Sequence, residues 1–139
     1  MEQINFFRVN CRPKLKSVAK HLHTGKTGEA IAQKFLLQKG YTILHTNWRY
    51  GRCEVDIIAQ LDNLLVFAEV KTRSTNYFGY PEEAVSRRKQ LLLAKAANAY
   101  TELLQPNALI RFDVISVTLL EGHEPEIYHI EDAFVLYDE

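Results

Sequence analysis

Apolar positions recur at helical spacing in two segments of this chain and at strand spacing in five others. Ile31 and Phe35 illustrate the helical pattern, since they lie four positions apart in a segment that Gly40 ends. The helices are expected over 24–39 and 82–104, and the strands over 41–48, 54–60, 64–71, 109–119 and 126–130. The order α-β-β-β-α-β-β predicts an α/β fold in which helices flank a mixed central sheet of about five strands.

Length and composition indicate one globular domain. The chain has 139 residues, of which 47% are hydrophobic and 24% charged, as is usual for a protein with one core. Residues 1–23 show no clear period, so we expect an irregular basic leader there and a single domain over 24–139. No apolar run approaches the roughly 20 residues that span a bilayer. Cys11 and Cys53 form no paired motif, so zinc and disulfides are not expected. These features favour a cytoplasmic protein without membrane contact.

Charge is unevenly distributed, although the formal net charge is zero. The segment from Gln3 to Gly28 has six Lys or Arg and no acid, whereas Glu121 to Glu139 has seven acids and no Lys or Arg. The basic segment is interpreted either as a contact for nucleic-acid phosphates or as a solvated leader that pairs with the acidic tail. A pI near 7.0 favours the second interpretation, because DNA-binding domains are usually basic.

Ionised side chains interrupt two of the apolar strands. Asp56 lies in one strand, and Glu69 and Lys71 lie in the next. In a hairpin, Asp56 and Glu69 would sit side by side, with Lys71 one step further on the same face. An unpaired buried carboxylate is costly, so a metal ion, a lysine or both should compensate. Mg²⁺ prefers oxygen ligands, and the two carboxylates with the Val70 carbonyl therefore predict a Mg²⁺ or Mn²⁺ site. The alternative is a half-exposed hairpin with cross-strand charge pairs.

Such a site suits the hydrolysis of a phosphate ester. The metal would bind a phosphate oxygen and lower the pKa of a water, while Lys71 would orient that water or stabilise charge on the transition state. Six motifs extend the pattern: 25–29 (GKTGE), 47–49 (NWR), 54–59 (EVDIIA), 67–73 (FAEVKTR), 78–85 (FGYPEEAV) and 111–114 (RFDV). Together they resemble the YraN family of small bacterial proteins, within the PD-(D/E)xK restriction-endonuclease-like superfamily.

The resemblance covers about residues 22 to 120 and implies a restriction-endonuclease-like core. It implies that Glu29, Asp56, Glu69 and Lys71 are catalytic and that Glu29 is a further metal ligand. The expected function is metal-dependent hydrolysis of DNA, at branched or junction structures, by a homodimer. The alternative is a non-catalytic nucleic-acid-binding module that keeps the nuclease fold. Glu29 also has a simpler interpretation, because a Glu in the first turn of a helix favours the macrodipole.

Two positions bear on local geometry. Gly28 is unfavourable inside a helix, which indicates close packing beside Glu29. Members of the family usually have Gly where this chain has Cys53; if that Gly provides a positive φ or a close backbone approach, Cys53 would strain the turn.

Polar residues around the acid set predict phosphate contacts. The predicted nucleic-acid-binding residues are Lys26, Arg49, Arg73, Arg87, Lys89 and Gln90, of which Lys89 or Gln90 should face the metal. For the helical residues, the alternative is the ordinary polar face of an amphipathic helix. An aromatic loop with Tyr77, Phe78 and Tyr80 is expected either to stack on bases or to cover the core.

Overall fold

Two helices and six strands make up the part of the chain that the structure describes. The computed structural model describes residues 4–8, 20–74 and 85–135, with side chains for 25–74 and 85–135. The elements are β1 (Ile4–Arg8), α1 (Lys20–Gln38), β2 (Thr42–Tyr50), β3 (Cys53–Leu61), β4 (Leu64–Arg73), α2 (Arg87–Leu104), β5 (Leu109–Thr118) and β6 (Glu126–Ile130). The strands form one sheet in the order β1-β6-β5-β4-β3-β2. The α/β class and the mixed sheet are confirmed.

The prediction of an irregular leader over 1–23 was wrong where the structure describes that segment. Ile4–Arg8 forms β1, which pairs antiparallel with β6, so the sheet has six strands rather than about five. Helix α1 begins at Lys20 rather than at residue 24. A five-residue edge strand is too short to give a clear alternation in the sequence, which explains why the pattern did not reveal β1.

Helix α2 begins later than residue 82. Ser86 is extended and caps the helix, because its hydroxyl accepts a hydrogen bond from the Lys89 N–H at 3.2 Å. Residues 75–84 lie outside the described part of the chain, and the predicted aromatic loop of Tyr77, Phe78 and Tyr80 lies there.

A helix covers each face of the sheet. On one face, Ile31 and Phe35 of α1 pack in a cluster that includes Val66 of β4. On the other face, Leu93 of α2 packs in a cluster that includes Phe67. Strands β3 and β4 form the predicted hairpin, whereas β4 and β5 run parallel and are connected through α2. Neither helix of the described residues is long and apolar enough to cross a membrane.

A buried polar network ties the end of α1 to β5 and β6; we call it the Asp113 network. Asp113 accepts two hydrogen bonds of 2.8 Å from Arg111, one of 2.7 Å from His129 Nε2 and one of 3.0 Å from the Asp132 N–H. Lys39 Nζ lies 3.0 Å from His129 Nδ1. Because an ammonium only donates, Nδ1 accepts and the ring proton lies on Nε2, facing Asp113. The network thereby fixes the segment that follows α1.

Candidate active site

The β3–β4 ladder ends directly before the two candidate carboxylates. The last pair in register is Ile57 with Ala68, and the next positions along the strands are Asp56 and Glu69. There, Asp56 Oδ2 accepts a hydrogen bond of 2.8 Å from the Val70 N–H. The Asp56 side chain thus takes the place that a backbone carbonyl has in a regular ladder. The carboxyl groups of Asp56 and Glu69 lie close enough to interact.

Glu69 is the most perturbed carboxyl of the site. Its side chain lies between two lysines, with Lys71 Nζ at 3.6 Å from Oε1 and Lys89 Nζ at 3.8 Å from Oε2. Burial and the Asp56 charge raise the pKa of Glu69 to about 7, although both lysines oppose the shift. Among the described side chains, Glu69 Oε2 is the buried oxygen that has no hydrogen-bond partner. A buried oxygen of this kind normally has a further partner, which an ordered water or a bound ion can supply.

Helix α1 carries Glu29, the third predicted carboxylate, which lies close enough to Asp56 for the two charges to interact. Burial raises the pKa of Glu29, and the Asp56 charge raises it further. Burial also raises the pKa of Asp56, despite its hydrogen bond from Val70. However, no three His, Cys, Asp or Glu side chains within 25–74 and 85–135 are placed to hold a metal ion. Asp56 and Glu69 are therefore described as the acid pair, and Glu29 does not join them in a three-carboxylate cluster.

Asn47 is a site residue that the sequence reasoning missed. It lies in β2 at the position opposite Asp56, between the pairs that Thr46 and Trp48 make with β3. Its φ is +51°, which is rare within a strand but tolerated by Asn. The Asn47 side chain hydrogen bonds to Glu29 and opposes the rise of its pKa. Asn is disfavoured in strands, so an Asn within the predicted strand β2 is the sequence feature that could have identified this residue.

Gly28 allows α1 to approach β4 closely, as its position beside Glu29 indicated. A Cβ at Gly28 would lie 2.8 Å from both Cβ and Cγ2 of Thr72 and would overlap its Oγ1. Any side chain at residue 28 would therefore displace the helix that carries Glu29.

We expect Gly28→Ala to lower the free energy of unfolding by about 1–3 kcal/mol, because the added methyl overpacks the contact with Thr72. Urea unfolding measures the change. Gly25→Ala is the matched control in the same helix, since no atom of the described residues lies within 4 Å of a Cβ there. That control should gain up to about 1 kcal/mol from helix propensity. Equal gains in both variants would contradict the close approach at Gly28.

Lys89 and Gln90 differ in where their side chains point. Lys89 Nζ donates to the Glu54 carbonyl at 2.9 Å and lies beside Glu69, so this lysine faces the acid pair. Gln90 Nε2 donates to the Val85 carbonyl at 3.0 Å and thereby stabilises the start of α2. Of the two expected to face the metal, the structure brings only Lys89 to the acid pair.

The other residues that were predicted to contact phosphates have more exposed side chains than Glu69. Arg49 is largely exposed and makes a 2.9 Å ion pair with Glu54. Lys26 and Arg87 are exposed on their helices. Arg73 is partly buried at the end of β4. Binding of nucleic acid by these residues stays a prediction.

The positive φ that would strain Cys53 does not occur. Cys53 is buried and begins β3 without a positive φ. Gly51 instead takes the left-handed conformation of the β2–β3 turn, with a φ of +58°. The positive φ of the turn therefore lies at a glycine, two residues before Cys53. Cys53 itself pairs with Tyr50 in the sheet.

Comparisons with known proteins agree with the sequence resemblance. A sequence profile described as the uncharacterised protein family UPF0102, which corresponds to the YraN family, matches residues 28–117. A UPF0102 protein of Flavobacterium psychrophilum is 48% identical over 84% of this chain and 98% of its own length. One from Bacteroides thetaiotaomicron is 45% identical over 84% of this chain and 96% of its own. Among solved structures, Pyrococcus furiosus SfsA in complex with Ca²⁺ matches 78% of this chain and 62% of its own, at 17% identity. Its TM-score of 0.32 is too low to support a conclusion.

Proposed function

The chain belongs to the uncharacterised protein family UPF0102, and we propose that it is a metal-dependent nuclease that hydrolyses phosphodiester bonds of DNA at branched or junction structures. The observation that supports this most directly is Glu69 Oε2, a buried carboxylate oxygen without a hydrogen-bond partner among the residues that the structure describes. It lies beside a second buried carboxyl and two lysines. An ordered water or a bound ion can satisfy such an atom, and carboxyls whose pKa is strongly raised, as that of Glu69 is, are concentrated at functional sites.

The acid pair has the donor chemistry for Mg²⁺ or Mn²⁺. Asp56 and Glu69 offer carboxylate oxygens, and the Val70 carbonyl is a further candidate ligand. Two carboxylates with retained waters suit Mg²⁺, which rarely has an all-protein cage. A divalent cation supplies charge that polarises a phosphate oxygen and lowers the pKa of a water. We assign Glu29 to the edge of this set, where Asn47 holds it near Asp56.

The two lysines have separate roles in this proposal. Lys71 is partly exposed and follows Glu69 on the same strand, so its ammonium reaches the position where a scissile phosphate gains charge. Lys89 is held by the Glu54 carbonyl and Glu69, and it contacts a neighbouring phosphate. Lys26, Arg49, Arg73 and Arg87 provide further phosphate contacts. Because junction DNA has two-fold symmetry, we propose that the protein acts as a homodimer.

The test is a cleavage panel with Mn²⁺ on single-stranded, linear duplex, flapped and four-way DNA. We expect cleavage of the flapped or four-way substrate, and a loss of about 100- to 1,000-fold in Lys71→Ala, which removes charge stabilisation of the transition state. Lys95→Ala removes an exposed lysine further along α2 and should cleave like the wild type. In calorimetry, Mn²⁺ binding should disappear in Asp56→Asn and Glu69→Gln but persist in Lys71→Ala.

Several outcomes would reject the proposal. Cleavage that is equal in Lys71→Ala and the wild type would identify a contaminating nuclease. Identical Mn²⁺ binding in the wild type and both acid variants would exclude the acid pair as the metal site. DNA binding without cleavage of any substrate would instead support the non-catalytic nucleic-acid-binding module.

A further inference from the structure

A partly exposed aromatic pair lies on β2, the edge strand of the sheet among the residues that the structure describes, and Trp48 pairs with Val55, the neighbour of Asp56. Strand β2 is the last strand in the sheet order and carries Trp48 and Tyr50. Their rings stack with an interplanar angle of 5° and a centroid distance of 6.1 Å. Trp48 also packs edge-on against Tyr100 of α2, at 5.3 Å. The core thus fixes the indole, whereas Tyr50 stays 47% exposed.

Two arginines are close to this aromatic pair in the sequence. Arg49 lies between the two rings in sequence, and its side chain is 79% exposed. Arg52 follows in the exposed β2–β3 turn. The ion pair of Arg49 with Glu54 is a surface contact, which contributes little and leaves the guanidinium able to bind a phosphate. We call the set of Trp48, Arg49, Tyr50 and Arg52 the Tyr50 platform.

The two rings of the platform share a sheet face with Glu69 and Lys71, whereas Arg49 lies between them on β2 and points to the opposite face. Trp48 packs against the cluster beneath α2, which also includes Phe67 of β4. Glu69 and Lys71 follow Phe67 at two-residue steps, so they lie on the same face. In addition, Arg49 contacts Glu54, two residues before Asp56. A strand whose phosphate lies at the acid pair can therefore continue onto the platform.

We propose that the Tyr50 platform binds an unpaired base of the nucleic-acid strand whose phosphate lies at the acid pair. An exposed tyrosine stacked on a fixed tryptophan is a rigid surface for the face of a base, and the arginines bind the adjacent phosphates. Inside a duplex, neighbouring bases cover these faces, so the platform selects a flap or a single-stranded junction arm. This inference rests on the proposed nuclease function and specifies its substrate class.

The experiment uses the single tryptophan of the chain as a reporter. Flapped duplex, blunt duplex and single-stranded DNA of equal length are titrated in EDTA, and Trp48 emission and fluorescence anisotropy of labelled DNA are recorded. We expect flapped and single-stranded DNA to change Trp48 emission, whereas blunt duplex leaves it unchanged. Tyr50→Ala should weaken flap binding about 5- to 150-fold, while Tyr50→Phe should bind like the wild type, because it keeps the stacking ring.

Salt dependence separates stacking from charge. Tyr50→Ala should keep the salt slope of the wild type, whereas Arg49→Gln and Arg52→Gln should each reduce it by about one unit or less. Tyr128→Ala is the matched control, since Tyr128 is comparably exposed on β6, four strands away, and it should not change affinity.

The outcomes for the platform and for the nuclease are distinguishable. Flap affinity that is equal in Tyr50→Ala and the wild type, or equal changes of Trp48 emission with blunt duplex, would overturn the platform even if the wild type cleaves DNA. Tyr50-dependent flap binding in a protein that cleaves no substrate would support the platform and overturn the nuclease. Absence of binding to every DNA would overturn the platform.

Discussion

Replacing Asp113 with asparagine should lower the free energy of unfolding by about 3–5 kcal/mol at pH 7. The carboxylate is fully buried and receives hydrogen bonds from Arg111, His129 and the Asp132 N–H. Asparagine has one acceptor oxygen and a donor amide, so it leaves the Arg111 charge poorly compensated inside the protein. Among the described residues, this network also fixes the segment after α1 through Lys39.

Asp132→Asn is the matched control for this prediction. Asp132 is exposed, has a φ of +55°, and takes part in the network through its backbone N–H. Asn tolerates this conformation, so the control should stay within about 0.5 kcal/mol of the wild type. Urea unfolding followed by circular dichroism measures both variants. Similar stabilities for the two variants would show that the Asp113 network contributes little to folding.

Asp113 should also make the free energy of unfolding depend on pH. Burial alone would raise the pKa of Asp113, but the hydrogen bonds from His129 and Arg111 outweigh burial and lower it below the ordinary value of 3.8. A carboxyl with a lowered folded-state pKa stabilises the protein above its unfolded pKa and loses that contribution as the pH falls. The stability difference between the wild type and Asp113→Asn should therefore shrink below about pH 4. A constant difference down to pH 2 would contradict this cause.

The pattern of apolar and polar residues along the sequence was sufficient to predict the β3–β4 hairpin and the pair of carboxylates that it carries. The β3–β4 hairpin follows from two apolar runs around a short turn, and Asp62 in that turn has a positive φ of 53°. Asp56 and Glu69 were predictable as a pair because an antiparallel hairpin fixes which residues are opposite each other.

Features that depend on distant contacts could not be derived in this way. The bond between His129 and Asp113 joins residues 16 positions apart on two strands, and neither strand pattern reveals that pairing. The register of β1 depends on β6, more than a hundred residues later. For Asn47, the sequence shows an unusual residue in a strand, but only tertiary structure shows that it reaches Glu29.

Glu69→Gln should stabilise the metal-free protein by about 3 kcal/mol at pH 8. Burial and the Asp56 charge raise the pKa of Glu69 from 4.5 to about 7. A carboxyl with a raised folded-state pKa stabilises the fold fully below its unfolded pKa and loses that contribution as the pH rises through the folded value. The wild type should therefore lose stability between pH 4.5 and about 7, whereas the neutral glutamine removes this dependence.

Urea unfolding in EDTA from pH 4.5 to 8.5 tests this, with Glu102→Gln as the control, since Glu102 is exposed on α2. The curves of Glu69→Gln and the wild type should converge at low pH, separate between pH 4.5 and about 7, and reach their full separation above that. Equal stability of the two at pH 8 would show that ionised Glu69 costs nothing in the fold. Mn²⁺ at pH 8 should stabilise the wild type but not Glu69→Gln, because only the wild type gains free energy from binding the cation. These two results together would identify Glu69 as a carboxyl that destabilises the metal-free protein and stabilises the metal-bound protein, which is the behaviour that the proposed metal site predicts.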